Sequence, residues 1–364
     1  MYKLKTSELT PGMIVARDVY SIGDHLIVPA GFQLTDRTIT RLAFYTIPYI
    51  YVKDSGDLQD TKKNDSLYPE EEQAYSAFIK NSPEFKKFSV EFTEDVSKFK
   101  SMINDVVEKN APLDVDTLLN DTVSLLKNAR GNIHIFDMLH NLRHYDDLTY
   151  THGLNVALIC NVLASWLNMK PEEIELATLC GLLHDIGKLK IPEQIIKKPD
   201  RLTDEEYDII KRHPLEGYQI LQNYNVNIHI INAALMHHER CDGKGYPMGF
   251  SADKIDKYAK IVSIADVYDA MTSARIYRGA LCPFKVIEIF EHEGLQKYDT
   301  KFILTFLENV VSSYLSNRVR LTDGREGTVF FINKQVLSRP ILKTEDGYID
   351  LLKEPNSVSI EEII

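Results

Sequence analysis

Between about residues 126 and 318 the apolar positions recur at helical spacing, and nothing alternates with the two-residue period of a strand. Leu154, Leu158, Val162 and Trp166 stand four apart, on one face of a buried helix. Pro171 with Glu172 and Glu173 behind it reads as a helix start, and Gly187 as its stop. Thr203-Asp204-Glu205-Glu206 is a capping box that opens another helix, and Pro214 puts His213 at the start of the next. The flanks are patterned differently. Up to about residue 54, short segments such as His25-Leu26-Ile27-Val28 and the run from Thr46 to Val52 sit between turn formers, with one helix predicted from Thr35 or Asp36. Residues 54–70 are polar and linker-like, and from there to 125 helical period is weak and poorly delimited. Past residue 319, RVRLTDGREGTVFFI and ILKTEDGYIDLL carry a β pattern around Asp323-Gly324 and Asp346-Gly347. The expected architecture is mainly α. A small β-rich N-terminal module (1–54) and a linker with connecting helices (55–125) precede an all-helical domain (126–318), and a small β-module (319–364) follows it.

Composition narrows the function. The chain has 364 residues, 44% hydrophobic and 26% charged, the balance of a soluble globular protein. Its net charge of −11 argues against a grip on extended nucleic acid, though a local pocket can still take a small anion. Cys160, Cys180, Cys241 and Cys282 are scattered without CxxC spacing, so neither a disulfide framework nor a thiolate zinc site is expected. No signal-like stretch opens the chain and no membrane span is visible, which makes the cytoplasm the expected compartment.

The chemistry concentrates in the helical region. His152, His184, His213, His237, His238 and His292 recur near element ends, and all but His292 have company. His184 and Asp185 are adjacent, with Gly187 and Lys188 just beyond. His237 and His238 lead into Glu239-Arg240 and then Asp242-Gly243-Lys244-Gly245-Tyr246-Pro247, while Asp266 lies in the apolar run IVSIADVYDAM. Taken singly, each histidine is more often a satisfied core residue, and the glycine-rich segment is a tight loop. Jointly they supply imidazole and carboxylate donors that suit borderline divalent metals. Five histidines and two aspartates exceed the needs of one tetrahedral site. A dinuclear centre bridged by one carboxylate, its ions ~3.5–4 Å apart, is the economical reading.

HDIGK (His184 to Lys188), the His213-Pro214 step, HHERCDGKGYP and ADVYDAMTSARIYR occur in the order and spacing of the HD-GYP family, which residues 126–318 resemble. The N-terminal stretch from Glu8 to Leu42 resembles, more weakly, a small module that often precedes such domains. The resemblance implies an all-helical HD-type metal-binding domain and a phosphodiesterase that opens cyclic di-GMP to linear pGpG, with GMP as a further product, through a metal-bridged hydroxide. By position it implies one ion on His152, His184, Asp185 and Asp266 and a second on Asp185, His213, His237 and His238. Iron or manganese come first as their identity, ahead of nickel, cobalt, magnesium and zinc. Lys188 matches the lysine beside the scissile phosphate, and Arg275 and Arg278 match positions that grip the ligand's phosphates. Asp266 and Arg275, nine apart, would lie on opposite faces of a continuous helix, so that helix should end near Thr272-Ser273. The loop Asp242, Gly243, Gly245, Tyr246 and Pro247 is implied to shape the site and to touch a signalling partner, and a homodimer is a further expectation.

The family's glutamate for a third ion is replaced here by Leu148, and Asp146 and Asp147 face elsewhere on the helix. Two ions and mainly the linear product are therefore expected. Two other classes compete: a cyclic-dinucleotide receptor without turnover, and a hydrolase for another cyclic dinucleotide or a nucleotide. All metal positions are filled, whereas a degenerate receptor is free to lose one, and this favours the enzyme.

Overall fold

Phe85, Phe88, Phe92, Val96, Phe99, Ile103 and Val106 recur every three or four positions, and the computed structural model gathers them on the buried stripe of one long helix, α1 (Pro83–Lys109). It describes residues 1–20, 26–28, 30–34, 38–39, 42, 47, 49–53, 79–128, 135–142, 148–198, 200–273 and 280–364. The helix is sharper than its sequence period implies. Ser82 caps it by accepting from the Phe85 N–H at 3.1 Å, Pro83 fills the first turn, and Asn110 closes it in the left-handed conformation at φ 52°.

The helical body continues with α2 (Val115–Asn128), α3 (Ile135–Asn141), α4 (Leu148–Trp166) and α5 (Pro171–Leu183). A 3₁₀ turn (Ile186–Lys190) and α6 (Glu193–Ile196) lead to α7 (Asp204–Ile210), α8 (His213–Leu221), α9 (Ile228–Met236) and α10 (Lys257–Thr272). Then come α11 (Pro283–Ile289), a π turn (Phe290–Gly294) and α12 (Thr300–Ser313). Thr203 caps α7 within its capping box, and Pro171 occupies the first turn of α5. One boundary differs from expectation. Helix α5 closes at Leu183, and Gly187 lies inside the following 3₁₀ turn, where the chain tightens after His184.

At the N-terminus β1 (Tyr2–Lys5) pairs antiparallel with a later strand (Tyr49–Val52), and β2 (Val19–Tyr20) with β3 (Leu26–Val28), so the Tyr49–Val52 strand is β4. Leu9, Val15, Leu34, Leu42, Ile50 and Val52 form a small core of their own here. The helix predicted from Thr35 or Asp36 begins outside the described residues, as does the linker over 54–70. At the C-terminus β5 (Arg318–Leu321), β6 (Glu326–Phe331), β7 (Ile341–Thr344), β8 (Gly347–Asp350) and β9 (Ile360–Ile363) make one antiparallel sheet, ordered β8-β7-β6-β5-β9. Its inner residues Val319, Leu321, Val329 and Leu342 join the same core as α1, α4, α5 and α10. None of the four cysteines is joined in a disulfide, and no helix among the described residues is long and apolar enough to cross a membrane.

Candidate metal centre

The histidines and aspartates singled out in the sequence come from five helices and meet at one point. His152 lies in the second turn of α4, His184 and Asp185 follow the end of α5, and His213 is the first residue of α8. His237 and His238 follow the end of α9, and Asp266 sits within α10. Asp185 stands in the middle. Its Oδ2 is 3.3 Å from His184 Nε2 and 3.6 Å from His152 Nε2, and its Oδ1 is 3.3 Å from His213 Nε2 and 3.7 Å from His237 Nε2. Asp266 also spans the group, with Oδ1 3.0 Å from His152 Nε2 and Oδ2 3.7 Å from His238 Nδ1.

Among the described residues, three sets of donor atoms are close enough to share an ion: His152, His184 and Asp266; His184, Asp185 and His237; and His213, His237 and His238. Local folding aims them. His184 Nδ1 donates to the Gly181 carbonyl at 2.7 Å, His213 Nδ1 to that of Ile210 at 2.7 Å, and His237 Nδ1 to that of Ala234 at 3.0 Å. These carbonyls belong to helix ends, where no backbone N–H claims them. Each neutral ring then presents a bare Nε2 lone pair inward.

Two observations show that a cation fits. His184 Nε2 and Asp185 Oδ1 are buried without any hydrogen-bond partner. His213 Nε2 and His237 Nε2, both lone-pair atoms by the tautomers above, face each other at 3.1 Å, a contact that repels unless a cation lies beside it. Protonation states agree. Burial pushes His213 down to about 3 and His238 down to about 4, and burial with three neighbouring histidines pushes His237 down too. Burial alone would raise Asp185, but His184, Lys188 and His213 outweigh it and hold the carboxyl well below the usual range. Burial likewise opposes charge on His152, yet its hydrogen bonds to Asp266 and Asp269 prevail and raise it to about 9. Uncharged His213, His237 and His238 beside the ionised Asp185 make a donor set ready for a divalent ion, whereas His152 gives up its Nε2 proton when an ion takes that place.

Lys188, in the 3₁₀ turn, pairs with Asp185 Oδ2 and keeps a partly open side chain at the rim. The glycine-rich loop wraps the other side. Tyr246 stacks on His238, ring centroids 4.6 Å apart at 27°, and its N–H donates to the His238 carbonyl at 3.2 Å. Gly245 leaves room for this path, since a Cβ there would lie 2.5 Å from His238 O and from Glu239 Cα. Asp242 accepts from Arg240 Nε at 3.0 Å and from the Lys244 N–H at 3.1 Å, shaping the loop; Gly243 turns it at φ 74° and Pro247 follows Tyr246. Helix α10 ends at Thr272 with Ser273 extended, where the spacing of Asp266 and Arg275 required an end. Arg275 and Arg278 themselves lie outside the described residues, as do Asp146 and Asp147. Leu148 is the first residue of α4, four before His152. His292 sits in the π turn, apart from the grouped donors.

Sequence reasoning missed two carboxylates. Asp269, one helical turn beyond Asp266, touches His152 Nδ1 at 2.7 Å, and its three-residue spacing was the available signal. Buried Glu239 accepts from the backbone N–H groups of Met248, Gly249 and Phe250 at 2.7, 3.1 and 2.9 Å and folds the loop back beside the centre.

A family model described as HD domain matches residues 118–302, half of the chain. Among curated proteins, the cyclic di-GMP phosphodiesterase PA4108 of Pseudomonas aeruginosa is 35% identical over 204 residues, 56% of this chain and 49% of that protein. The 3′3′-cGAMP-specific phosphodiesterase 1 of Vibrio cholerae is 41% identical over 145 residues, 40% of this chain and 34% of that protein. A cyclic di-GMP phosphodiesterase of Thermotoga maritima is 33% identical over 192 residues, covering 52% and 50%. The chain thus spans a third to a half of the length of these relatives. Among solved structures, Bd1817, a HDG"Y"P protein from Bdellovibrio bacteriovorus, aligns over 85% of this chain and 99% of its own, at TM-score 0.46 and 17% identity.

Proposed function

The chain belongs to the HD domain family, and from that premise we propose that it is a metal-dependent phosphodiesterase that opens cyclic di-GMP to the linear dinucleotide. The observation that carries this reading is the convergence of five histidines around Asp185 and Asp266, with bare donor atoms buried among them. His152, His184, Asp185 and Asp266 are read as holding one divalent ion and Asp185, His213, His237 and His238 a second, with iron or manganese first in line. Such ions, when bound, lower the pKa of water and offset charge on phosphoryl oxygens.

The protein's own groups do the rest. In the reaction, a water oxygen bonds to one phosphorus, the bond from that phosphorus to the 3′ oxygen breaks, and a proton ends on that oxygen. Lys188, an ammonium at the rim beside Asp185, is placed to hold a non-bridging phosphate oxygen. Asp185, ionised and facing both donor groups, ties the two halves into one unit. Arg275 and Arg278 are read as the grip on the second phosphate, and Tyr246 as the wall beside His238. The N-terminal module and the C-terminal sheet are read as flanking units at 1–54 and 319–364. The cytoplasm is the proposed compartment, a homodimer the proposed assembly, and the loop 242–247 the proposed contact for a signalling protein.

A second reading, hydrolysis of 3′3′-cGAMP, draws support from the Vibrio cholerae relative named for it. One experiment separates the readings. Protein purified without oxygen is analysed for metals, then incubated with cyclic di-GMP or 3′3′-cGAMP while products are resolved by chromatography. The proposal expects two ions per chain, faster loss of cyclic di-GMP and accumulation of pGpG. Tight binding of cyclic di-GMP by the loaded protein without any product would make it a receptor and refute the enzyme.

A further inference from the structure

His184, His213 and His237 each stand at a helix end and orient themselves on a spare backbone carbonyl. His152 cannot. It lies inside α4, where the carbonyls three and four residues back serve the helix's own hydrogen bonds. Its Nδ1 instead meets Asp269 Oδ2 at 2.7 Å, across the interface with α10. The carboxylate is buried, and its other oxygen is fixed by Asn155 Nδ2 at 2.9 Å and Ser273 Oγ at 3.0 Å. Asn155 is three residues after His152, on the same side of α4, while Ser273 closes α10. Asp269 therefore cannot swing away without losing three donors, and it accepts from His152 at a fixed point.

We propose that Asp269 is a positioning residue that locks His152 as the Nδ1–H tautomer, aims its Nε2 at the ion shared with His184 and Asp266, and so governs that ion position selectively. This rests on the metal reading of the centre given above. The selectivity follows from connectivity. Among the described residues, the oriented rings of the other donor group, His213 and His237, depend on backbone carbonyls that Asp269 does not touch. A carboxylate partner also makes a coordinating imidazole a stronger donor, and loss of such a partner commonly costs ~10–100-fold in metal affinity.

The test compares Asp269→Asn and Asp269→Ala with the unaltered full chain. Metal-free proteins are titrated with Mn²⁺ in a calorimeter, and their melting temperatures are recorded without metal. Asn keeps an oxygen facing Nδ1 but removes the charge, so about a 10-fold loss at one of two ion positions is expected. Ala removes the acceptor, and a loss of up to ~100-fold at that position is expected. The other position keeps its affinity in both variants. The tautomer gives an independent readout: nitrogen-15 spectra of the histidine rings, recorded without metal above pH 9 where the His152 ring is neutral, should show its Nδ1–H form in the unaltered and Asn proteins and its loss in the Ala protein. Both ion affinities unchanged, or both lowered together in step with melting temperature, would overturn the proposal while leaving the metal reading standing. An unaltered protein that binds no Mn²⁺ would instead overturn that reading, and this inference with it.

Discussion

Gly187 offers a test of how tightly the centre is assembled that does not depend on which metal it holds. The 3₁₀ turn carrying Asp185 and Lys188 lies so close to α8 that a Cβ on Gly187 would be 2.0 Å from the His213 carbonyl oxygen and 2.4 Å from the Gly217 nitrogen. Carbon atoms pack at about 3.5 Å from their neighbours, so Gly187→Ala forces the turn and α8 apart by roughly 1 Å or more. Both obstacles are backbone, and no rotamer change relieves them. Overpacking of this kind costs ~1–3 kcal/mol, and rigid surroundings place this case at the upper end. For a domain of this size that is about 5–10 °C in melting temperature. His213 opens α8 and moves with it, away from Asp185 Oδ1, its neighbour at 3.3 Å. A shift of 1 Å at a reacting centre is worth ~100-fold in rate. Calorimetry, metal analysis and kcat/KM on cyclic di-GMP measure the three effects. A Gly187→Ala protein that melts within a degree of the original and turns over at full rate would refute the packing argument.

Replacing Asp185 by Ala should strip both ions and abolish turnover, since both donor groups lean on that carboxylate; two retained ions with measurable activity would show that it does not bridge. Arg275→Ala and Arg278→Ala should keep the ion content and weaken cyclic di-GMP binding by the ~1.5–3 kcal/mol of a charged hydrogen bond, measured calorimetrically; loss of ions instead would mean that these cations support the fold. In the metal-free protein, stability should peak near pH 6.5. As pH falls below that ordinary imidazole value the unfolded chain takes up protons that His238 and His213 refuse until about 4 and about 3, so stability is lost across that window. As pH rises, the contribution of His152, raised to about 9, is lost between 6.5 and 9; a melting temperature flat from pH 4.5 to 9 contradicts both signs.

The sequence disclosed the centre's donors better than their supports. His184-Asp185, His213, His237-His238 and Asp266 were visible because such residues rarely gather at the ends of apolar segments. Whether Asp185 or Asp266 would stand between the groups is a question of helix packing, and both prove to span them, Asp185 through contacts to four histidines and Asp266 through contacts to three. Asp269 and Glu239 escaped notice for a physical reason. Each acts by accepting hydrogen bonds from atoms remote in sequence or from backbone, and a carboxylate in a helix or a loop carries no local mark of that role. Gly187 was read as a helix stop when its use is a close approach to α8, which only the tertiary arrangement reveals. Boundaries set by capping, at Ser82, Thr203 and Asn227, follow local chemistry and coincide with side-chain acceptors for the first free N–H groups.

Helix α1 changes what the minimal working body must contain. It precedes the span matched by the family model, and its weak sequence period suggested only a connector. Yet Phe88 and Phe92 are fully buried, and Phe85, Val96, Phe99, Ile103 and Val106 nearly so, all within the core that also holds α4 and α5. At ~1.5–3 kcal/mol for each large apolar side chain, these seven contribute an upper estimate of about 10–20 kcal/mol. That is comparable with the ~5–15 kcal/mol net stability of an entire domain. The helix also reaches the site. Phe99 and Ile103 line a small cavity with Asp185, Ile186 and Leu189, and the Tyr150 hydroxyl donates to Asn104 Oδ1 at 2.7 Å. Tyr224, beyond α8, ties its hydroxyl to the Val106 carbonyl at 3.0 Å. A chain cut at the family boundary would lose this stripe, bare the faces of α2 and α4 that it covers and remove the wall behind Asp185, so α1 belongs to the metal-binding body in energy and in place, although it stands outside the family's sequence signature.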